Sequence, residues 1–324
     1  MTDSLTISRQ KHGKHFVYGQ SHGAVKDKEL IAWIESLAIP PAWQEVRISR
    51  SPRAKVYAKG LDQAGRQQAI YNPSFREKQE KLKFDRILRF AQALPRLRRQ
   101  VGYDLQRRRL SKPKVLACVV KLIDTAYFRV GNERYAQENE HYGITTLRRK
   151  HLDVTGDTVT FEFTGKSGQE HIKQITDKQL ARIVKQLDEM PGYEVFRYQD
   201  KKDRMHDIHS KDVNEYIKSH MGEEFSAKDF RTWGGTLLAT TELLASEYFE
   251  DKKERQKLVT SIVKNVAKRL GNTPAIARSS YIDPRVIAAY IDSADITKVK
   301  RAMESMKPRK YMTADEQAVL ELLT

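Results

Sequence analysis

The sequence predicts an α+β protein. A small β-containing N-terminal domain, residues 1–94, precedes a larger and mainly α-helical domain, residues 95–324, that holds a small antiparallel β-sheet of its own. Three observations predict this. Residues 45–72 alternate with period two and lack helical spacing, residues 152–175 do the same, and apolar residues across most of the rest recur three and four apart. Alternation puts successive side chains on opposite faces of a strand, whereas the 3.6-residue period gathers them on one face of a helix. With 324 residues, 39% of them apolar, the chain can fill two cores, which excludes a wholly disordered protein.

Each element follows from local residues. Residues 1–25, rich in Gly, His and Ser, read as partly disordered. From Asp27 a short helix begins and is stopped by Pro40 and Pro41, which cannot continue the amide ladder. Residues 45–72 read as short strands with turns at Ser51-Pro52 and Asp62–Gly65, and residues 76–93 as a helix. The domain boundary is placed near Pro95. Ser111 and Pro113 open a helix whose Leu116, Val119, Val120, Ile123 and Tyr127 keep the helical period. Gly131 interrupts, and a short helix follows and ends before Gly143. Turns at Thr155-Gly-Asp and Gly165–Gly168 make residues 152–175 a three-stranded meander. Helices are expected over 177–189 and 210–219, then from a capping-box-like start at Ser226-Ala-Lys-Asp229 through Arg231 and Leu237. Leu258, Ile262, Val263, Val266 and Leu270 stripe another helix that stops at Gly271, and Asn272-Thr-Pro reads as a turn. Pro284 begins a short helix through Tyr290, and the tail from 295 reads as a charged, peripheral helix. There is no internal repeat and no low-complexity tract.

Charge narrows the function classes. The chain has 59 Lys and Arg against 42 Asp and Glu, a formal net charge of +17. Such a balance favours a polyanionic partner, with nucleic acid first, because the basic runs at 96–100, 106–110, 147–151 and 200–204 are spread through folded-looking sequence. Taken singly, each run reads equally well as a solvated face. A membrane partner is not expected: no run of about 18 apolar residues exists and the N-terminus lacks an apolar signal core, so the expectation is a soluble, cytoplasmic protein. The single cysteine, Cys118, excludes an internal disulfide framework and a multi-cysteine zinc site, and it reads as core.

The chemistry at hand is cationic. Asp203, His206, Asp207 and His209 have poor metal-ligand spacing and read as a polar surface loop, and carboxylates clustered for two metal ions are missing, so no metal is expected. Gly165-Lys166-Ser167 is the end of a phosphate-loop motif, but its first glycine is replaced by Thr160 and a strand follows instead of a helix, so no ATP or other cofactor is expected. Lys166 instead sits at a hairpin tip, where an exposed turn lysine is the plain alternative. Phosphoryl chemistry without metal needs other positive charge, and arginine forks pair bidentately with phosphate oxygens. Arg129, beside an apolar helix, and Arg231, in the first turn of another, are suitably placed, although either one reads equally as a buried structural ion pair.

Taken together these residues resemble a family. The ordered series Arg129-Val-Gly-Asn-Glu-Arg-Tyr135, Thr164-Gly-Lys166-Ser, Lys228-Asp-Phe-Arg231-Thr-Trp and Leu270-Gly-Asn272-Thr-Pro with Ser280-Tyr281 resembles the type IB DNA topoisomerases, in particular their bacterial and poxvirus-like branch. Ile39-Pro-Pro-Ala-Trp43, residues 60–71 and Lys83-Phe-Asp-Arg86 resemble the same branch, so the likeness spans residues 14–292. The resemblance implies that Tyr281 is a nucleophile forming a 3′-phosphotyrosyl bond, that Arg129 and Arg231 clamp the scissile phosphate, and that Lys166 is the general acid for the 5′-oxygen. Asn272 stands where poxvirus and nuclear members carry His, and is read as a neutral hydrogen-bond donor to a non-bridging oxygen. Arg66, Gln68 and Tyr71 are implied to face the duplex from the N-terminal domain, and Tyr135 to enter the major groove; Ala69 stands where poxvirus members have Tyr. The whole implies a monomeric clamp hinged near Pro95, associated with the nucleoid, that relaxes positive and negative supercoils without ATP or metal.

Two alternatives stay open at this level. A tyrosine recombinase shares the Arg/Lys/Arg/Tyr set, but usually has His-x-x-Arg where this chain has Lys228-Asp-Phe-Arg231. A non-enzymatic architectural DNA-binding protein would use the charge and not the tyrosine.

Overall fold

The computed structural model describes residues 5–13, 15–292 and 295–324; the expectation for residues 1–4 and 14 lies outside these. The chain divides into two units, residues 1–83 and 84–324.

The first unit is built on a six-stranded antiparallel sheet in the order β3-β2-β1-β4-β5-β6. Strands β1 (Ile7–His12), β2 (His15–Gln20) and β3 (Gly23–Ala24) occupy the segment expected to be partly disordered. The correction has a physical reason: β1 pairs with β4 (Gln44–Ile48), Ile7 opposite Ile48, so the strand is held by a distant partner and by burial of Ile7. Helix α1 (Lys28–Ser36) starts at Asp27, whose carboxylate accepts from the amides of Glu29 and Leu30. Strands β5 (Val56–Leu61) and β6 (Gln67–Tyr71) complete the sheet across the Asp62–Gly65 turn. Ile34, Val46, Ile48 and Ala58 form the buried centre. The Arg9 guanidinium donates to the carbonyls of Ile39, Pro40 and Trp43, each at 2.9 Å, and so fixes the proline-rich loop after α1.

Helix α2 (Pro73–Leu105) is longer than the helix expected over 76–93 and runs through Pro95. The apolar stripe explains this. Ile87, Phe90, Leu94, Leu97, Val101 and Leu105 are all buried on both sides of Pro95. At about 1.5–3 kcal/mol for each such side chain, their burial outweighs the roughly 3 kcal/mol that an interior proline costs.

The second unit is mainly helical. Helix α3 (Lys112–Ala126) has Val115 to Val120 buried without interruption, so it is the central helix. Helix α4 (Glu133–Asn139) is capped by Asn132, and the three-stranded sheet β7 (Leu152–Thr155), β8 (Thr158–Thr164) and β9 (Glu170–Thr176) follows as expected. Helices α5 (Lys178–Asp188), α6 (Ser210–Met221), α7 (Ala227–Ala245) and α8 (Lys252–Leu270) agree with the periodicity. Strands β10 (Arg197–Gln199) and β11 (Met205–Asp207) make a small hairpin where a polar loop was expected. The turn at Asn272-Thr-Pro leads into a short helix, α9 (Pro274–Ser280), before α10 (Pro284–Ile291). Among the described residues no helix is long and apolar enough to cross a membrane.

The tail is not peripheral. Helices α11 (Asp295–Ser305) and α12 (Ala314–Leu323) bury Ile296, Val299, Ala318, Val319 and Leu323 in the main core. Glu316, 2% exposed, accepts from Arg98 of α2 at 2.7 Å and from the Trp233 indole of α7 at 3.4 Å. Arg98 also donates to Asp124 of α3 at 2.7 Å. One ion cluster therefore ties the end of the chain to three helices. Burial would raise the Glu316 carboxyl, but hydrogen bonds and charge from Arg98 hold it below the ordinary glutamate range.

Glu316→Gln is expected to destabilise the fold by about 2 kcal/mol in denaturant titrations, less than a fully buried pair because Arg98 is partly exposed and keeps Asp124. A depressed carboxylate contributes stability above its unfolded pKa and loses it as pH falls through the folded one. Wild type is thus expected to lose more stability than Glu316→Gln between about pH 6 and about pH 3; parallel losses would contradict the assignment.

Candidate active site

The site forms where two helices of the second unit end. Helix α3 stops at Tyr127, whose φ of +55° turns the chain out of the helix, and α8 stops at Gly271 with φ of +61°. A helix C-terminus leaves carbonyls without intrahelical donors and carries partial negative charge. Arg231 answers both ends at once: it donates to the carbonyls of Tyr127 and Leu270, each at 2.7 Å, and is only 3% exposed. It reaches them from the first turn of α7, where Asp229 accepts from the Ser226 amide at 2.8 Å and from Arg86 at 2.7 Å. The capping start read from sequence thus fixes where Arg231 emerges.

Arg129 lies just beyond α3. Its backbone is held by a close crossing of two glycines: the amide of Ile144 donates to the Arg129 carbonyl at 2.8 Å, and a methyl on Gly143 would sit 2.5 Å from Gly131. The Arg129 guanidinium donates to the Gly271 carbonyl at 2.9 Å and to Oδ1 of Asn272 at 2.7 Å. Burial and the nearby Arg231 charge push the Arg129 pKa down to about 10. Among the described residues, neither Arg129 nor Arg231 is paired with a carboxylate. Among the described residues two buried donors in this cluster have no partner, Nε of Arg231 and Nδ2 of Asn272.

Tyr281 ends α9 with its ring beneath Arg231, 5.1 Å from the guanidinium carbon to the ring centre. Burial disfavours its ionised form, but Arg231, Arg129 and the Lys228 charge outweigh burial and hold the phenol below the ordinary tyrosine range. The Tyr281 backbone sits against α7: the Thr236 hydroxyl donates to its carbonyl at 3.2 Å, and a methyl on Gly235 would lie 2.6 Å from the same oxygen. Gly234 makes the equivalent room for the Tyr127 ring. Sequence reasoning missed this pair, although two adjacent glycines inside a strongly periodic helix signal close approach.

Of the residues singled out from sequence, the structure gathers Tyr281, Arg129, Arg231 and Asn272. Lys166 is exposed at the β8–β9 tip, where Ser167 and Gly168 take φ of +64° and +69°. Among the described residues no hydrogen bond or ion pair joins it to the arginines or the tyrosine. Two residues of β9 were missed. His171 is buried, its pKa pushed down to about 4 by burial and neighbouring cations. Lys173 donates to the Ala126 carbonyl at the end of α3 at 2.6 Å, and burial with the Arg231 and Arg129 charges brings its pKa down to about 7.

The remaining candidates lie apart. In the first unit Arg66 and Gln68 both donate to the Asp62 carboxylate, at 2.7 and 2.9 Å, and Tyr71 is 48% exposed and stacked on Phe75. In the second unit Tyr135 lies in α4 and is partly exposed. The residues weighed as metal ligands turn to separate partners: Asp207 to Arg197, His206 to Asp200 and His209 to Glu133. The basic runs are partly spent within the fold, with Arg98 on Asp124 and Glu316, Arg107 on Asp104, Arg149 on Asp188 and Arg204 on Asp200.

A family model described as eukaryotic DNA topoisomerase I, catalytic core, matches residues 72–309, and one described as bacterial DNA topoisomerase IB, N-terminal domain, matches residues 15–62. DNA topoisomerase 1B of Acanthamoeba polyphaga mimivirus is 33% identical over 293 residues, 88% of this chain and 87% of that protein. DNA topoisomerase 1B of Vaccinia virus (strain Copenhagen) is 25% identical over 238 residues, 72% of each chain. DNA topoisomerase 1 of Mycosarcoma maydis is 26% identical over 220 residues, 60% of this chain and 21% of that protein.

Two outcomes test the geometry itself. Arg129→Gln is expected to raise the Tyr281 phenol pKa, followed by NMR of ring-labelled tyrosine against pH; an unmoved titration would contradict the electrostatic role. Gly235→Ala is expected to cost roughly 1–3 kcal/mol, because the methyl meets backbone and not a flexible side-chain end.

Proposed function

This chain belongs to the type IB DNA topoisomerase family and is a type I DNA topoisomerase, and from that premise we propose that it relaxes positive and negative supercoils through a 3′-phosphotyrosyl intermediate at Tyr281, without ATP or metal. The observation that carries the reading is the pair of orphaned donors. A buried donor without a partner costs about 1–3 kcal/mol, and among the described residues Nε of Arg231, whose guanidinium lies over the tyrosine ring, and Nδ2 of Asn272, whose amide is held by Arg129, bear that cost. Non-bridging phosphate oxygens would satisfy both. Arg129 holds Oδ1 of Asn272, which leaves the amide nitrogen as the donating end and suits Asn272 to bind an oxygen without titrating.

In the proposed reaction the Tyr281 phenolic oxygen attacks the scissile phosphorus and its proton passes to solvent. The bond from phosphorus to the 5′-oxygen breaks as Lys166 gives that oxygen a proton. Arg129, Arg231 and Asn272 stabilise the added charge on the non-bridging oxygens. The phosphodiester bond energy is retained in the tyrosyl ester, so religation by the reverse steps needs no energy source. Supercoiling strain drives rotation of the free 5′ end. Arg66, Gln68 and Tyr71 on one unit and Tyr135 on the other are proposed to contact the duplex, with the two units as the jaws of a monomeric clamp.

Plasmid relaxation in EDTA without ATP is expected from the wild type and not from Tyr281→Phe, which loses only a hydroxyl. Relaxation that survives Tyr281→Phe would sink the mechanism; binding without relaxation by either protein would favour an architectural role. Asn272→Ala is expected to slow cleavage about 100-fold, as for a lost transition-state donor, and Asn272→His to keep most activity. Lys166→Ala is expected to cleave ordinary DNA slowly and DNA with sulfur at the 5′-bridging position near the wild-type rate, since a thiolate leaves without a proton.

A further inference from the structure

His171 has no part in the chemistry above, yet it touches two parts of the site. It lies on β9 directly opposite Phe163 of β8, and the two rings pack at 5.1 Å between centres. The imidazole fills a gap bounded by two glycines. A methyl on Gly165 would lie 2.6 Å from Cδ2 of His171, and a methyl on Gly271 would lie 2.0 Å from Cε1. Neither distance leaves room for a side chain, so the ring fits only against bare backbone on both sides; Gly271 is also favoured as glycine by its φ of +61°. Gly165 immediately precedes Lys166. Gly271 immediately precedes Asn272, and its carbonyl accepts from Arg129.

We propose that His171 is a positioning residue, a flat spacer that sets the Lys166 hairpin at its working distance from the Arg129–Asn272 pair. The inference rests on the general-acid reading of Lys166. The ring is seated on a strand and backed by Phe163, so it presents a fixed thickness to both glycines. Burial, with Lys173, Arg129 and Arg231 around it, keeps the imidazole uncharged at neutral pH. The role we assign to it is steric, carried by its contacts with the two glycines. Without the ring, the hairpin base loses its stop against the α8 terminus, and the exposed lysine loses its aim. A misplacement of about 1 Å at a catalytic group can cost on the order of 100-fold.

Single-turnover cleavage tests this with two substrates, one an ordinary phosphodiester and one with sulfur at the 5′-bridging position. His171→Ala is expected to slow the oxygen substrate by about tenfold or more and to leave the sulfur substrate within about threefold of wild type. His171→Phe, which keeps a flat ring and removes the nitrogens, is expected to restore the oxygen substrate to within about threefold. Equal slowing of His171→Ala on both substrates, with Lys166→Ala still rescued by sulfur, would overturn the spacer and leave the general acid standing. Failure of sulfur to rescue Lys166→Ala would remove the general acid and the spacer together. A His171→Phe variant as slow as His171→Ala would also overturn the proposal. Should His171→Ala not fold, His171→Leu, with bulk but no flat ring, carries the same expectation.

Discussion

A buried guanidinium, Arg231, beside a half-buried one, Arg129, with neither paired to a carboxylate among the described residues, is the constraint on which the rest of this structure depends. Burying a cation is costly, and burying two side by side more so. Arg231 and Arg129 are held instead by carbonyls: those of Tyr127 and Leu270 for one, and that of Gly271 with the Asn272 side chain for the other. Carbonyl dipoles at helix ends stabilise positive charge without cancelling it. The site therefore keeps its charge and lends part of it to Tyr281, whose phenol ionises more readily as a result.

The surrounding fold serves that arrangement. Helices α3 and α8 must end at one place, and the left-handed turns at Tyr127 and Gly271 achieve it. Helix α7 must approach both tyrosines closely, and Gly234 and Gly235 allow it. The first turn of α7 is fixed through Asp229 by Arg86 from α2. Lys173 satisfies one more carbonyl at the end of α3. Even the last helix contributes, since Glu316 reaches α2 through Arg98 and α7 beside Trp233.

What was legible in the sequence was local. The capping residues Asp27 and Ser226, the Gly271 stop and the alternation of β7 to β9 depend on near neighbours, and the structure shows each of them. Tyr281, Arg129, Arg231 and Asn272 were named through ordered motifs, and the structure gathers them. What was missed depends on distant partners. Strand β1 needs β4, α2 passes Pro95 because its core lies on both sides, and Glu316 finds Arg98 across 218 positions. His171 looked like any strand residue, because the glycines it fits lie 6 and 100 positions away in the chain. The basic runs misled in part for the same reason: Arg98, Arg107, Arg149 and Arg204 turn inward or sideways to carboxylates.

The most direct test of the account is chemical. Cleavage of a nicked or suicide duplex, followed by proteolysis and mass spectrometry of the DNA-linked peptide, reads which atom becomes attached to the 3′-phosphate. The account predicts a single adduct on the peptide containing Tyr281, formed equally in the presence of a chelator. An adduct on another residue, or none in a protein that still relaxes DNA, would contradict it.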